Sequence, residues 1–260
     1  MPAYERLASA LIGTPLQRPA ERLRRLSHLW HRCRHPELRE ILDESRQIDR
    51  LLAHVITDGM NCIDVGCHLG SMLSEIVRLS SHGHHIAFEP VPYKAAWLRK
   101  KFPNVDVRQV ALSDFQGQAT FYINSQSSGH SGLRHNPAAG ASATINVDLT
   151  RLDDIVPDDC RIGFLKVDVE GVEYRVFCGA RRVLNQSRPI VLFECTQAGL
   201  ANAGSNAEQV HNLFTQEFSY HIYVIGDWLT KATPLEISAF AAAMNYPFRA
   251  FNFVAVPRDR

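Results

Sequence analysis

The 260-residue chain lacks most of the features that would fix its class at once. Its six cysteines (Cys33, Cys62, Cys67, Cys160, Cys178 and Cys195) include no CxxC pair, which argues against a dithiol redox centre or a zinc ribbon. Several of them sit in apolar runs, as reduced core thiols do. No apolar run reaches the roughly 18 residues of a membrane span, so no transmembrane segment is expected. A charge of one sign is missing too: 28 Lys and Arg stand against 27 Asp and Glu, for a formal net charge of +1. No global field therefore draws the chain to nucleic acid or to a membrane. The short apolar run at 7–12 follows Glu5 and Arg6, a poor signal peptide, and a cytoplasmic location is the expectation. No internal repeat or low-complexity tract is visible.

What is present is an ordinary globular balance, 45% hydrophobic and 21% charged, in a chain long enough for one full core. Residues 1–60 read as a helical N-terminal extension whose first half is basic, with Arg18, Arg22, Arg24, Arg25, Arg32, Arg34 and Arg39 interleaved with Leu23, Leu26, Leu29 and Trp30. Such a face meets an anionic partner or a membrane surface, or is solvated on one side and packed on the domain or on a second subunit of a homo-oligomer on the other. From residue 61 to 260 short apolar runs alternate with helical spacing. Strands are expected over 62–65, 85–89, 105–112, 120–124, 162–169, 189–193, 220–225 and 251–256. Helices are expected over 71–79, 93–102, 172–184, 205–218 and 234–244. That alternation predicts an α/β fold with a mostly parallel, doubly wound sheet and helices on both faces. The Ser-, Gly-, His- and Asn-rich stretch 125–143, with His130 and His135, reads as a lid over the site.

The organising stretch is 61–70, NCIDVGCHLG. A buried strand passes through a turn freed by Gly66 and Gly70 into a helix N-terminus, whose open N–H groups make a nucleotide cradle. Asp64 lies at the strand's exit. Glu89, 25 positions later, closes the second strand, where an acid accepts hydrogen bonds from ribose hydroxyls. This pairing serves either NAD or S-adenosylmethionine. The GxGxxG fingerprint of dinucleotide sites is absent, however, because His68 occupies its second glycine position. Asp64 would also sit close to any phosphate. Both features favour a cationic, phosphate-free ligand. Downstream, 161–173 (RIGFLKVDVEGVE) brings Lys166, Asp168 and Glu170 to one side of a strand end, and the strand over 189–193 ends at Glu194.

The segments DVGCHLG, IAFEP, VALSD-x-x-G, FLKVDVEGVE and PIVLFE, in that order over 61–194, resemble the FkbM-type family of S-adenosylmethionine-dependent methyltransferases. The resemblance implies a Rossmann-like class I methyltransferase that methylates a hydroxyl of a small molecule, commonly a saccharide or natural product. Asp64, Gly66 and Gly70 would hold the methionine end of the cofactor, with His68 a further contact or a structural residue. Glu89 would take the ribose, and Ala111 with Asp114 would border the adenine. For catalysis, Asp168, Glu170 and Glu194 are the candidates. Asp168 and Glu194 would bind Mg²⁺ or a similar ion, as in catechol-type O-methyltransferases, with Glu170 a base or an acceptor-orienting group. In the competing reading Asp168 contacts the cofactor, and Glu170 and Glu173 only cap the next helix. The Asp-Pro-Pro-Tyr and Asn-Pro-Pro-Tyr signatures of nucleic-acid amino methylation are absent, so no nucleic-acid substrate is expected. An NAD-dependent oxidoreductase and a non-catalytic scaffold of the same fold are the alternatives.

Overall fold

The computed structural model describes Glu5 and residues 9–27, 34–124, 131–134 and 142–260. Helices α1 (Gln17–Ser27) and α2 (Arg39–Val55) precede the sheet. Leu51, Leu52 and Val55 in the last turns of α2 are buried with Cys62, Ile76 and Val254, so this helix covers one sheet face. Then follow β1 (Cys62–Val65), α3 (Ser71–Leu79), β2 (His85–Phe88), α4 (Pro92–Lys101) and β3 (Asp106–Arg108). Next, β4 (Ala111–Leu112), β5 (Gly117–Asn124) and β6 (Ser142–Thr150) leave the main sheet and form a second one, ordered β4-β6-β5. The chain returns through α5 (Leu152–Ile155) to β7 (Phe164–Val167), α6 (Glu173–Cys178), α7 (Arg181–Gln186), β8 (Ile190–Glu194) and α8 (Gln197–Asn202). It ends with α9 (Ala207–Asn212), β9 (Tyr220–Val224), α10 (Ile225–Leu229), α11 (Ile237–Ala243) and β10 (Asn252–Pro257).

The seven-stranded sheet runs β3-β2-β1-β7-β8-β10-β9, parallel except for β10, which is antiparallel to both its neighbours. Strands β1, β2 and β7 are buried on both faces, which is why their sequences are mostly apolar, with Asp64, His85 and Lys166 the buried exceptions. The chain goes from β1 to β2 on one side and reaches β7 on the other, so a crevice opens between β1 and β7 at their carboxyl ends. Beyond β8 a block of rings fills the core; Phe193 stacks on Phe214 at 5.4 Å and packs on Phe177 and Phe253. That block fixes the strand that ends at Glu194.

Several expected boundaries move for identifiable reasons. The single strand over 105–112 is two, because the chain changes sheets between Arg108 and Ala111. The strand over 162–169 stops at Val167, so Asp168 and Glu170 lie in the following turn. The helix over 172–184 is interrupted around Gly179. The helix over 205–218 ends in a wider π-helical turn, Leu213–Glu217. Of the stretch 125–143, residues 131–134 are described and sit against β5 through a Tyr122–Gly132 bridge, and from residue 142 the chain is in β6. His130 and His135 lie outside the described residues. Among the described residues no helix is long and apolar enough to cross a membrane.

Candidate active site

Register assembles the site. Val65 pairs with Phe88 and with Val167, and Val167 pairs with Phe193. The next residue on each strand is therefore Glu89, Gly66, Asp168 and Glu194, four neighbours in a row along one sheet edge. Backbone bonds extend the row: Asp168 N donates to Val65 O at 3.1 Å, and Gly66 N and Cys67 N both donate to Phe88 O at 3.0 and 3.2 Å.

Glycine is required at two points of the turn. Gly66 has φ +76°, and a Cβ there would lie 1.8 Å from the carbonyl oxygen of Asp168. Gly70 has φ +87°, and its Cβ would strike the Leu98 and Phe102 side chains at 2.7 Å. Between them His68 also adopts a positive φ, 54°, and its N–H donates to Glu89 Oε2 at 2.9 Å. Glu89 Oε1 accepts from Val91 N at 2.9 Å. Burial pushes Glu89 up to about 7, opposed chiefly by Lys94. Burial and the nearby ammonium of Lys94 hold His68 down at about 4, so its ring is neutral at pH 7.

A cavity of about 290 Å³ opens above this turn, close in size to small-molecule sites. Gly66, His68, Glu89 and Ala111 are on its wall, with Lys94, Lys166, Asp168 and Glu170. Asp64, Gly70 and Asp114, named from sequence as cofactor contacts, are off that wall. Asp64 lies beneath the turn at 1% exposure, where Lys166 Nζ approaches its Oδ1 at 3.2 Å without the alignment of a hydrogen bond. Gly70 caps α3 from behind the cavity. Asp114 is engaged with Arg175, 3.4 Å away, and with the Ser113 hydroxyl. Lys166 was placed from sequence beside Asp168 and is so: its ammonium is 3.3 Å from Asp168 Oδ2 and donates to Gly66 O at 2.8 Å.

The second half of the site is acidic. Oxygens of Asp168, Glu170 and Glu194 lie within 4.8 Å of one another. Glu170 is aimed by a strained backbone, φ 57°, followed by Gly171 at φ +105°. A groove of about 430 Å³ runs past Glu170, Glu173, Glu194, Thr196 and Asn202, with Arg134 at its margin. Glu170 lines both the groove and the cavity. Burial first, and then the facing carboxylates of Asp168 and Glu170, drive Glu194 far above the ordinary carboxylate range. Glu173 is 1% exposed; its Oε1 accepts from Val169 N and Gly171 N, while Oε2 has no partner. Burial raises Glu173 to about 7. Lys94 and the groove-lining role of Glu173 escaped the sequence reading; an acid in a first helical turn signals a cap, and nothing in the pattern marks a buried lysine.

A glycine turn at the switch point of a doubly wound sheet, joined to an acidic groove through one shared residue, gives the chain a Rossmann-like architecture. The methyltransferase FkbM domain model matches residues 64–234, and the chain belongs to that family. Among solved structures it is similar to the methyltransferase FkbM from Methylobacillus flagellatus KT, at 15% identity over 77% of this chain and 44% of that chain, with a TM-score of 0.47. It is also similar to the plantazolicin methyltransferase BpumL in complex with SAH, at 9% identity over 97% of this chain and 94% of that one, TM-score 0.43. An rRNA methylase from Streptococcus thermophilus shows 10% identity over 82% and 96% of the two chains, TM-score 0.44. The chain spans less than half the length of the Methylobacillus protein. No curated protein matches it.

Proposed function

We propose that the chain is an S-adenosylmethionine-dependent O-methyltransferase whose acceptor is a hydroxyl of a small molecule, with a saccharide or glycoside as first choice. The observation that carries this reading is the position of Glu170, which lines both the cradle cavity and the acidic groove. Glu89 takes the ribose hydroxyls on the wall it shares with Gly66 and His68, and Ala111 borders the adenine. The sulfonium then faces Asp168 and Glu170, whose carboxylates favour its positive charge.

In the transfer step an oxygen lone pair of the acceptor attacks the methyl carbon, the carbon–sulfur bond breaks, and the sulfonium becomes a neutral thioether. The acceptor's proton passes to Glu170. Burial and the facing carboxylates of Asp168 and Glu170 favour the protonated form of Glu194, a donor to an acceptor oxygen in the cation-free site, and a bound cation would displace that proton. General-base assistance of this kind is worth about 10²–10⁴ in rate.

The residues also fit a divalent cation. Asp168, Glu194 and Glu170 offer hard oxygen donors within 4.8 Å of one another, and the carboxylates outnumber the nearby Lys166. A bound Mg²⁺ would supply Lewis acidity that lowers the acceptor hydroxyl's pKa. The test is a screen of glycosides with labelled S-adenosylmethionine, with and without chelation. Label on a hydroxyl oxygen is expected, as is loss of turnover with EDTA that added Mg²⁺ restores. Full turnover after chelation and dialysis would remove the metal, and label on nitrogen or carbon would overturn O-methylation.

A further inference from the structure

The N-terminal segment precedes the 64–234 family match, yet it is built into the cradle. Glu5, Ser9 and Ile12, spaced i, i+4 and i+7, are all buried, as is Gln17. Ile12 packs with Cys67, Leu69, Leu98 and Phe102, the apolar underside of the turn and of α4. Gln17 accepts from the Ser74 hydroxyl at 2.8 Å and donates to Ser71 O at 3.3 Å, fastening the segment to the first turns of α3.

Glu5 is the unusual member. Its side chain is fully buried, its Oε1 accepts from the Tyr93 hydroxyl at 3.2 Å, and the same oxygen lies 3.8 Å from His68 Nε2. Its Oε2 has no hydrogen-bond partner among the described residues. Lys94, buried next to Tyr93 in the sequence, feels the charges of both Glu89 and Glu5. His68 and Lys94 are both on the cavity wall and Glu5 is not, so Glu5 stands behind two groups that face the ligand. A buried carboxylate oxygen without a donor is costly, and a fold that keeps one has a use for its charge.

We propose that Glu5 is a positioning residue standing behind the wall of the cofactor cavity. Glu5 accepts from the Tyr93 hydroxyl, faces the His68 ring, and adds its charge to that of Glu89 in acting on the Lys94 ammonium, leaving the Glu89 carboxylate open to the cofactor's ribose hydroxyls. Without Glu5 the ammonium turns wholly to Glu89 and competes with the ribose. This inference rests on the cofactor reading above.

The test measures S-adenosylhomocysteine affinity by calorimetry and its dissociation rate by stopped flow, in the full-length wild type and in Glu5→Ala, Glu5→Gln and Tyr93→Phe. Glu5→Ala is expected to raise Kd about tenfold, mainly through faster dissociation. Glu5→Gln keeps the shape and the Tyr93 contact but loses the charge facing Lys94, and about threefold is expected. Tyr93→Phe removes one donor to Glu5 and should fall below the Glu5→Gln effect; this variant and Glu5→Gln carry the test should Glu5→Ala fail to fold. Affinities within twofold of wild type in the folded variants, whatever their thermal midpoints, would reduce Glu5 to a structural role and overturn the proposal. A wild type that does not bind the ligand would overturn the cofactor reading and this proposal with it.

Discussion

In the cradle each buried carboxylate of the main site has a donor or a cation: Glu89 accepts two backbone N–H groups, and Asp64 faces Lys166. In the groove Glu173 also accepts two backbone N–H groups and Asp168 also faces Lys166, but Glu194 faces the carboxylates of Asp168, Glu170 and Glu173. The cradle is therefore preorganised, although burial of the Glu89 carboxylate opposes its ionisation. The groove is a place where like charges are crowded at a cost that only a proton, a cation or a substrate relieves. On the proposed reading one half holds the cofactor and the other exchanges protons. Glu170, with its left-handed backbone, belongs to both.

The largest expected effect breaks the first half. Gly66→Ala forces a Cβ into the Asp168 carbonyl at a positive φ, and a loss of about 3 kcal/mol or more in stability should appear in denaturant unfolding. A midpoint unchanged from wild type would mean that the turn is looser than its contacts indicate. Next, Glu170→Gln should leave S-adenosylhomocysteine affinity within a factor of about three while lowering kcat by about 10²–10³. Equal losses in affinity and turnover would move Glu170 from the groove's chemistry to the cradle's binding.

Acidity offers a third way to set the two halves apart. Glu89 and Glu173 are each raised from 4.5 to about 7 in the folded chain. Below pH 4.5 both states hold these protons; between 4.5 and about 7 the unfolded chain ionises first and folding loses free energy. Stability should therefore fall as pH rises through that window, by on the order of 3 kcal/mol for each group. Glu173→Gln should flatten part of the fall, as read from thermal midpoints at pH 5 and 8. A midpoint that rises across the window would contradict both assignments. The smallest effect is at Glu194. Replacing it by Gln, the uncharged isostere, removes a carboxyl that burial opposes, and should stabilise the free protein at pH 8 by about 1 kcal/mol while slowing turnover. Destabilisation there would show that the groove's charges are better paired than its geometry indicates.

The sequence made the cradle's elements visible because local rules act alone there. Cys62–Val65 is a short apolar run with Gly66 after it, and Ser71–Leu79 starts on the far side of Gly70 with helical spacing; both bounds agree with the structure. The mostly parallel sheet followed from the same alternation. Local rules fail where tertiary partners decide. Nothing between Arg108 and Ala111 announces that the chain will change sheets, and Asp168 was read as strand because Val169 continues the apolar alternation into the turn. Asp64 was read as a ligand contact because its place at a strand exit is visible, whereas the Lys166 ammonium beneath the turn is not. Glu5 and Lys94 were invisible for a general reason: a charged residue is presumed to be solvated, and only the contact of Glu5 with Tyr93, 88 positions away, brings it into the region where Lys94 is also buried.

The most direct test of the account is a calorimetric titration of the wild-type chain with S-adenosylhomocysteine and, separately, with NAD. Micromolar binding of S-adenosylhomocysteine with no heat from NAD is the predicted result, because His68 and the acids around the turn suit a phosphate-free ligand. Binding of NAD, or of neither, would contradict it.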